Sequence, residues 1–465
     1  MDATSGSSMH FVMVPWLAVG HILPFTELAR RIALQGHRAT LLSTPRNTRR
    51  LIDIPPDLGG LVHVVDVPLP RVERLLEDAE ATIDLRSDDL RPCLRRAYDA
   101  AFSAKLSEIL QGPEASRPDW VLIDYAAYWA PAAAARHGVP CAFLSIMGAA
   151  SLGFFGPPEA LMGRVERAKT KLEHLTAVPD YVPFPTTVAF RGHEVRAMFK
   201  PGIIPEDGEV SDGYRMAKSI EGSQLVGVRS SRELEPEWLQ LVDELYQKPV
   251  IPLGLLPPPP TQDVAGHEAT LQWLDRQAPR SVVAPADSDG LPEGFEERVN
   301  GWGLVCRGWV PQVRILAHTS VGGFVTHAGC NSVTEGLARG VSLVLLPFLF
   351  DQGLIARHLV EKKMGVEVAR DEDDGSFTAE DVADALRRVM VGDEGQEFAA
   401  KAQELAEVVG NDEVNDQRVR DLLSCLSEYG RQQQGIKDSS VQTTTHDTTV
   451  LVSEASLRLE NSTSL

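Results

Sequence analysis

Apolar and polar positions alternate along this chain in blocks. Between residues 10 and 146, short apolar or β-branched runs recur at His10–Trp16, Arg38–Ser43, Leu61–Val67, Val121–Asp124 and Cys141–Ile146. Between them, Phe25, Leu28, Ala29 and Ile32 repeat at helical spacing, and Arg91–Leu110 is helical in pattern. Strand-like runs alternating with helices predict a parallel sheet wound with helices on both faces. From about Ala149 to Gly222 the pattern weakens, broken by Gly-Pro-Pro, Pro-Phe-Pro and a charged stretch at Arg164–Glu173. Irregular, partly helical structure covering one edge of the sheet is expected there. Leu225–Arg229 restores a strand.

The run KPVIPLGLLPPPPTQD, Lys248–Asp263, reads as a semi-rigid proline-rich linker. A second α/β unit follows, with strands at Ser281–Val283, Val321–Thr326, Ser342–Pro347 and Gly365–Ala369 and helices at Ala379–Val391 and Glu397–Val408. The expected organisation is therefore 1–247 for the first domain, 248–263 for the linker, 264–431 for the second domain and 432–465 for a disordered Ser/Thr/Gln-rich tail.

The densest chemistry lies in Trp309–Gln352. After the strand Val321–Thr326 come His327-Ala328-Gly329-Cys330-Asn331-Ser332, small and polar residues opening a helix. Unpaired N–H groups and the positive dipole end of such a helix form an anion site beyond the strand's carboxyl end. Glu335, one turn in, is placed to accept hydrogen bonds from ribose hydroxyls. Asp351-Gln352 follow the next strand and should emerge on the same sheet edge. Asn331 or Ser332, and Asp351, are natural helix N-caps.

In the first half, His21 opens a helix after strand His10–Trp16, and Asp124 ends the strand begun at Trp120. A helix start favours a neutral imidazole, as a general base requires, and a carboxylate fixes its tautomer. A plain helix-start histidine is the alternative. Tyr125, Tyr128, Trp129, Phe154 and Phe155 follow strand ends or lie in the irregular segment, as lining for an apolar pocket or as ordinary core. His193-Glu194 lacks the second histidine of a zinc motif and reads as surface. Asp287-Ser288-Asp289 and Asp371-Glu372-Asp373 read as solvated loops.

Composition narrows the class. A net charge of −20 argues against binding nucleic-acid backbones, and 43% hydrophobic with 24% charged residues is ordinary globular usage. The five cysteines are scattered, with no CxxC pair, so a disulfide framework and a zinc site are unexpected and a reducing cytoplasmic setting fits. No apolar run reaches membrane-span length, and MDATSGSSMH lacks a signal peptide's basic start. No GxGxxG follows a strand, which disfavours an NAD-dependent oxidoreductase.

Trp309–Gln352 resembles the 44-residue signature of the plant UDP-dependent small-molecule glycosyltransferases, and its length here is also 44 residues. The match includes Trp309, Gln312, His327, Gly329, Asn331, Ser332, Glu335, Pro347, Asp351 and Gln352. The resemblance implies the GT-B fold, α/β with two doubly wound Rossmann-like domains facing a cleft. It implies that Trp309 stacks on uracil, with Val310 and Gln312 beside it, and that His327 contacts the diphosphate. Gly329, Cys330, Asn331, Ser332 and Glu335 complete the UDP-sugar site, while Asp351 and Gln352 read the sugar's hydroxyls. Trp-x-x-x-Gly-His-x-x-Pro resembles the family's catalytic segment, making His21 the base and Asp124 its partner. Tyr125, Tyr128, Trp129 and Phe154 become acceptor candidates. The implied reaction is an inverting transfer from a UDP-sugar to a small-molecule hydroxyl, with no metal or other cofactor. Phe11–Arg46, continuing into Asn47, is most similar to the subgroup that glycosylates flavonoid or terpenoid glycosides, using UDP-glucose or UDP-rhamnose. The final Gln352 leans to glucose.

Two departures stand out. The family has Cys-Gly-Trp-Asn where this chain has Ala328-Gly329-Cys330-Asn331. Members also continue Ser-Val-Val with Tyr-Val-x-Phe-Gly-Ser, a helix and a strand before Leu-Pro-x-Gly-Phe; here Ser281-Val282-Val283 passes almost at once to Leu291-Pro292-Glu293-Gly294-Phe295. A βαβ-sized piece, ~30 residues, is missing. The gap should strip central strands from the second sheet, expose apolar surface and remove donor contacts. A non-catalytic nucleotide-binding relative is therefore the competing expectation.

Overall fold

The computed structural model describes residues 8–164, 172–198, 210–259, 267–284, 291–308 and 310–432. It comprises two compact units, Met1–Asp416 and Gln417–Leu465. The second is helical over 417–432, and the rest of the expected tail lies outside the described residues. The chain thus divides near Asp416, and the proline-rich stretch falls within the first unit.

Two parallel sheets organise the first unit. The larger contains β1 (His10–Val14), β2 (Arg38–Ser43), β3 (Val62–Asp66), β4 (Trp120–Ile123), β5 (Cys141–Ser145), β6 (Leu225–Val228) and β7 (Val250–Pro252), in the order β3-β2-β1-β4-β5-β6-β7. The smaller contains β8 (Ser281–Val283), β9 (Val321–Thr326), β10 (Ser342–Leu345) and β11 (Gly365–Glu367), in the order β11-β10-β9-β8. β1, β4, β5 and β6 are buried at every position, which is why their sequences read as unbroken apolar runs. Several strands stop one or two residues before the apolar run does. Trp16, Asp124 and Arg229 lie past the last ladder residue, where the chain turns into loops.

Two expectations need correction. Val250–Pro252, read as linker, is instead the seventh strand, pairing in parallel with Val226–Val228. Its proline is tolerated because β7 is an edge strand. The strand that precedes the gap, β8, is the edge of the smaller sheet, with β9 and β10 interior. Apolar surface is open there, as expected: Val282 on β8 is 41% exposed and Trp302, in the following segment, 72%. Finally, His193 and Glu194 are buried, not at the surface. Their helix, Gly192–Met198, packs where Arg357 of the helix Gln352–Glu361 pairs with Glu194, while Arg357 Nη1 lies 2.9 Å from Glu367 Oε1. Glu194 is tolerated in the interior because it is paired.

Candidate active site

β1 and β4 are neighbours, with Val14 opposite Ile123. Yet β1 continues to β2 on one side and β4 continues to β5 on the other. Connections that part in this way leave a crevice beyond the strands' carboxyl ends. His21 enters it from the first turn of the helix Val19–Leu34, and Asp124 directly follows β4. His21 Nδ1 and Asp124 Oδ2 are 2.5 Å apart. Asp124 is buried and accepts two further hydrogen bonds, from Trp16 N–H at 3.0 Å and Tyr125 N–H at 2.6 Å. A carboxylate held on three sides in this way favours the imidazole tautomer that carries its proton on Nδ1. Nε2 has no hydrogen-bond partner among the described residues.

The opposite wall grows from β9 and β10, which are adjacent and in parallel register, Thr326 beside Leu345. Their following loops therefore leave the same edge. His327 comes directly after β9. Ala328 is wholly buried in the left-handed region at φ 62°, and a Cβ at Gly329 would lie 2.3 Å from His327 Nε2. This tight turn starts the helix Cys330–Ala338 with Gly329 in the capping position. Asn331 and Ser332 therefore lie within the first turn and are not its caps. Asn331 Oδ1 instead accepts from Arg229 Nη1 at 2.5 Å. Asp351 does occupy the N-cap of the helix Gln352–Glu361, but its side chain makes no capping bond.

Between the walls lies a cleft of about 790 Å³ that brings His21, Asp124 and Tyr125 together with His327, Gly329, Cys330, Asn331, Ser332, Glu335 and Asp351. Other candidates lie elsewhere. Gln312 Nε2 supports Glu335 Oε2 at 2.6 Å, and Val310 packs on the core around the second sheet. Gln352 Oε1 accepts from the N–H groups of Phe348 and Leu349 at 2.9 and 3.0 Å. Trp309 lies outside the described residues, as do Asp287, Ser288 and Asp289.

Of the aromatic candidates, Tyr125 and Phe155 line the cleft. Tyr128 lies under the Arg215 guanidinium, Trp129 Nε1 donates to Asp99 at 2.9 Å, and Phe154 is core, edge-on to Phe190. These three are not among the residues that line the cleft.

Sequence reasoning missed a polar corner. Arg91, Arg95 and Asp212 join Tyr125 and His21 in an otherwise largely apolar half of the cleft. Arg95 Nη2 lies 2.5 Å from Asp212 Oδ2 across 117 residues of sequence, a separation no local pattern reveals. Arg91 also stacks 4.9 Å over the ring of Phe350 from the opposite wall.

Burial sets the protonation states. Asp351 keeps part of its surface open, but the walls withdraw it from bulk water and push its carboxyl up to about 6, against the opposing pull of its own backbone N–H and of His21. Glu335 is raised by burial, opposed by the Gln312 hydrogen bond. Burial lowers His327, favouring neutral imidazole, and raises the Cys330 thiol. Among the described residues, no group of three His, Cys, Asp or Glu is placed to hold a metal, and no helix is long and apolar enough to cross a membrane.

Comparison with known proteins identifies the family. Residues 300–406 match the UDP-glucoronosyl and UDP-glucosyl transferase family. UDP-glycosyltransferase 91C1 of Arabidopsis thaliana is 39% identical over 91% of this chain and 97% of the relative. That alignment runs over 456 positions, whereas 91% of 465 residues is about 423, so some thirty positions of the relative have no counterpart here. Soyasaponin III rhamnosyltransferase of Glycine max is 35% identical over 90% of this chain and 96% of its own length. A Glycyrrhiza uralensis enzyme solved with glycyrrhetinic acid 3-O-monoglucuronide superposes with a TM-score of 0.73 at 19% identity, over 95% of this chain and all of that one. With the GT-B fold, a His–Asp pair on one wall and the signature residues on the other, the chain belongs to the plant UDP-glycosyltransferases, enzymes that transfer sugar from a UDP-sugar to plant metabolites.

Proposed function

We propose that this enzyme moves a hexose, with glucose favoured, from its UDP-sugar to a hydroxyl of an acceptor that already carries a sugar, such as a flavonoid or terpenoid glycoside. The observation carrying the mechanism is the 2.5 Å His21–Asp124 contact opposite the signature residues of the second wall. His21 Nε2 takes the acceptor hydroxyl's proton while that oxygen attacks the anomeric carbon from the face opposite UDP. The new C–O bond forms as the bond to the diphosphate breaks, UDP leaves with that electron pair, and the anomeric centre inverts. Asp124 stabilises the imidazolium. Asn331 and Ser332 in the first helical turn meet the diphosphate, Glu335 the ribose and Asp351 the sugar. The helix start neutralises the departing anion, so metal-independent transfer is part of the proposal.

A glycosylated acceptor is supported by the polar corner. An apolar aglycone suits Phe155, Leu161 and Met216, but paired Arg95 and Asp212 beside His21 offer donors and acceptors matched to sugar hydroxyls. A cytoplasmic setting is supported by the five free cysteines. The similarity to a rhamnosyltransferase favours UDP-rhamnose as the second donor reading. The missing stretch favours a weakly active or non-catalytic relative. Incubation with UDP-glucose or UDP-rhamnose, each with a flavonoid, its monoglycoside or no acceptor, tests the readings together. Product from UDP-glucose with the monoglycoside is expected. Product only from UDP-rhamnose supports the second donor, and UDP binding without any product supports the inactive relative.

A further inference from the structure

Arg229 follows β6 and is 1% exposed. Its Nε donates to Leu255 O at 2.6 Å, Nη1 to Asn331 Oδ1 at 2.5 Å and Nη2 to Thr334 Oγ1 at 3.3 Å. All three acceptors are neutral. The other buried arginines of this unit have carboxylate partners: Arg31 with Glu27, Arg95 with Asp212, Arg215 with Asp99 and Arg357 with Glu194. Among the described residues, no carboxylate forms an ion pair with Arg229. Glu235 lines the same small cavity, but its oxygens accept from the N–H groups of Ala149 and Ala150 and from the Ser230 hydroxyl. The Glu335 carboxylate feels the charge of Arg229 without an ion-pair contact. A buried cation with no contacting counter-ion is costly, and its cost is offset when a ligand brings an anion.

We propose that Arg229 is the positioning residue for the donor's diphosphate, acting through Asn331 and holding a positive charge beneath the helix Cys330–Ala338. With its carbonyl oxygen engaged by the guanidinium, the Asn331 amide can flip only by losing that bond, and its NH2 group is left for an acceptor on the cleft side. A phosphate oxygen is such an acceptor. Arg229 follows a strand of the first sheet and Asn331 lies in the helix that follows a strand of the second, so occupation of the diphosphate site also strengthens the join between the cleft walls. The inference rests on the diphosphate lying at that helix start, as in the function proposed above.

The test compares UDP with uridine, which lacks the diphosphate, in calorimetric titrations of wild-type protein, Arg229→Met, Arg229→Gln and Arg229→Lys. R229M and R229Q should lose at least tenfold in UDP affinity while uridine binding stays within twofold, and R229K should recover most of the loss. In the absence of ligand, R229M should be at least as resistant to denaturant as wild type, because an unpaired buried charge has gone. R229Q keeps an amide donor near Asn331 and guards against a packing loss in R229M. Equal losses for UDP and uridine, unchanged UDP affinity, or loss of the fold in both neutral variants would overturn the proposal by making Arg229 merely structural or irrelevant. Wild-type protein that binds UDP no better than uridine would contradict instead the placement of the diphosphate at this helix.

Discussion

Cys330 lines both the main cleft and a second cavity of about 60 Å³, which is lined mainly by apolar side chains including Leu234, Leu255, Val333, Leu337 and Leu359. Where the family carries an indole, this chain carries a thiol, so the cavity is read as space left by the smaller side chain. At roughly 24 cal/mol per Å³ of residual cavity, that volume corresponds to about 1.4 kcal/mol of lost stability. Cys330→Trp should recover about 1 kcal/mol or more in urea denaturation of the ligand-free protein, read as a higher midpoint at an unchanged slope. Cys330→Ala, which leaves the cavity open and slightly larger, should lie within about 1 kcal/mol below wild type. Two results would refute the reasoning. Loss of more than about 1 kcal/mol in C330W would mean that the indole overpacks and the cavity lies off the residue 330 direction. Equal stability of all three proteins would mean that the space is already filled, for example by ordered water.

Other expectations follow from the same geometry. Asp124→Asn should lower kcat by 10²-fold or more with little change in UDP affinity, because an amide can hold the ring without stabilising the imidazolium; a loss below tenfold contradicts that role. Asp351 is raised to about 6 in the free cleft, so it is protonated below that pH and ionised above it. Sugar hydroxyls that donate to it favour the ionised form. The affinity ratio of UDP-sugar to UDP should therefore rise as pH increases through about 6, and Asp351→Asn should flatten the profile. Tyr125→Phe and Phe155→Ala should raise acceptor KM, whereas Phe154→Ala should chiefly cost stability, about 3 kcal/mol by denaturation; the reverse pattern would return Phe154 to the pocket. Arg357→Met leaves Glu194 buried with its charge uncompensated and should cost about 3–5 kcal/mol.

Much of the fold was legible because buried parallel strands announce themselves as apolar runs and their parallel pairing follows from alternation with helices. The His21–Asp124 pair was legible for a related reason: each follows a strand, and strand ends of parallel sheets share one edge. Legibility failed where side-chain direction decides. Phe154 and Phe155 are adjacent in sequence, yet one enters the core and the other the cleft. The residue type of Asn331 suits a cap, but the turn at Ala328–Gly329 starts the helix earlier and Arg229 takes the amide. The polar corner depends on contacts across more than a hundred residues, so only the folded chain brings Arg95 to Asp212. Arg229 did carry a local signal, a charged residue directly after a buried strand on the same edge as Asp124. The strand within the proline-rich stretch was hidden because prolines suggest a linker even where an edge strand accommodates one.

The proposed function requires that one cleft join a His21 base to a UDP-sugar site. The most direct test measures two quantities on wild-type protein and His21→Ala: turnover of UDP-sugar with acceptor, and the dissociation constant for UDP. The substitution should lower turnover by about 10²–10⁴-fold while UDP affinity stays within twofold. Turnover that survives the substitution would contradict it.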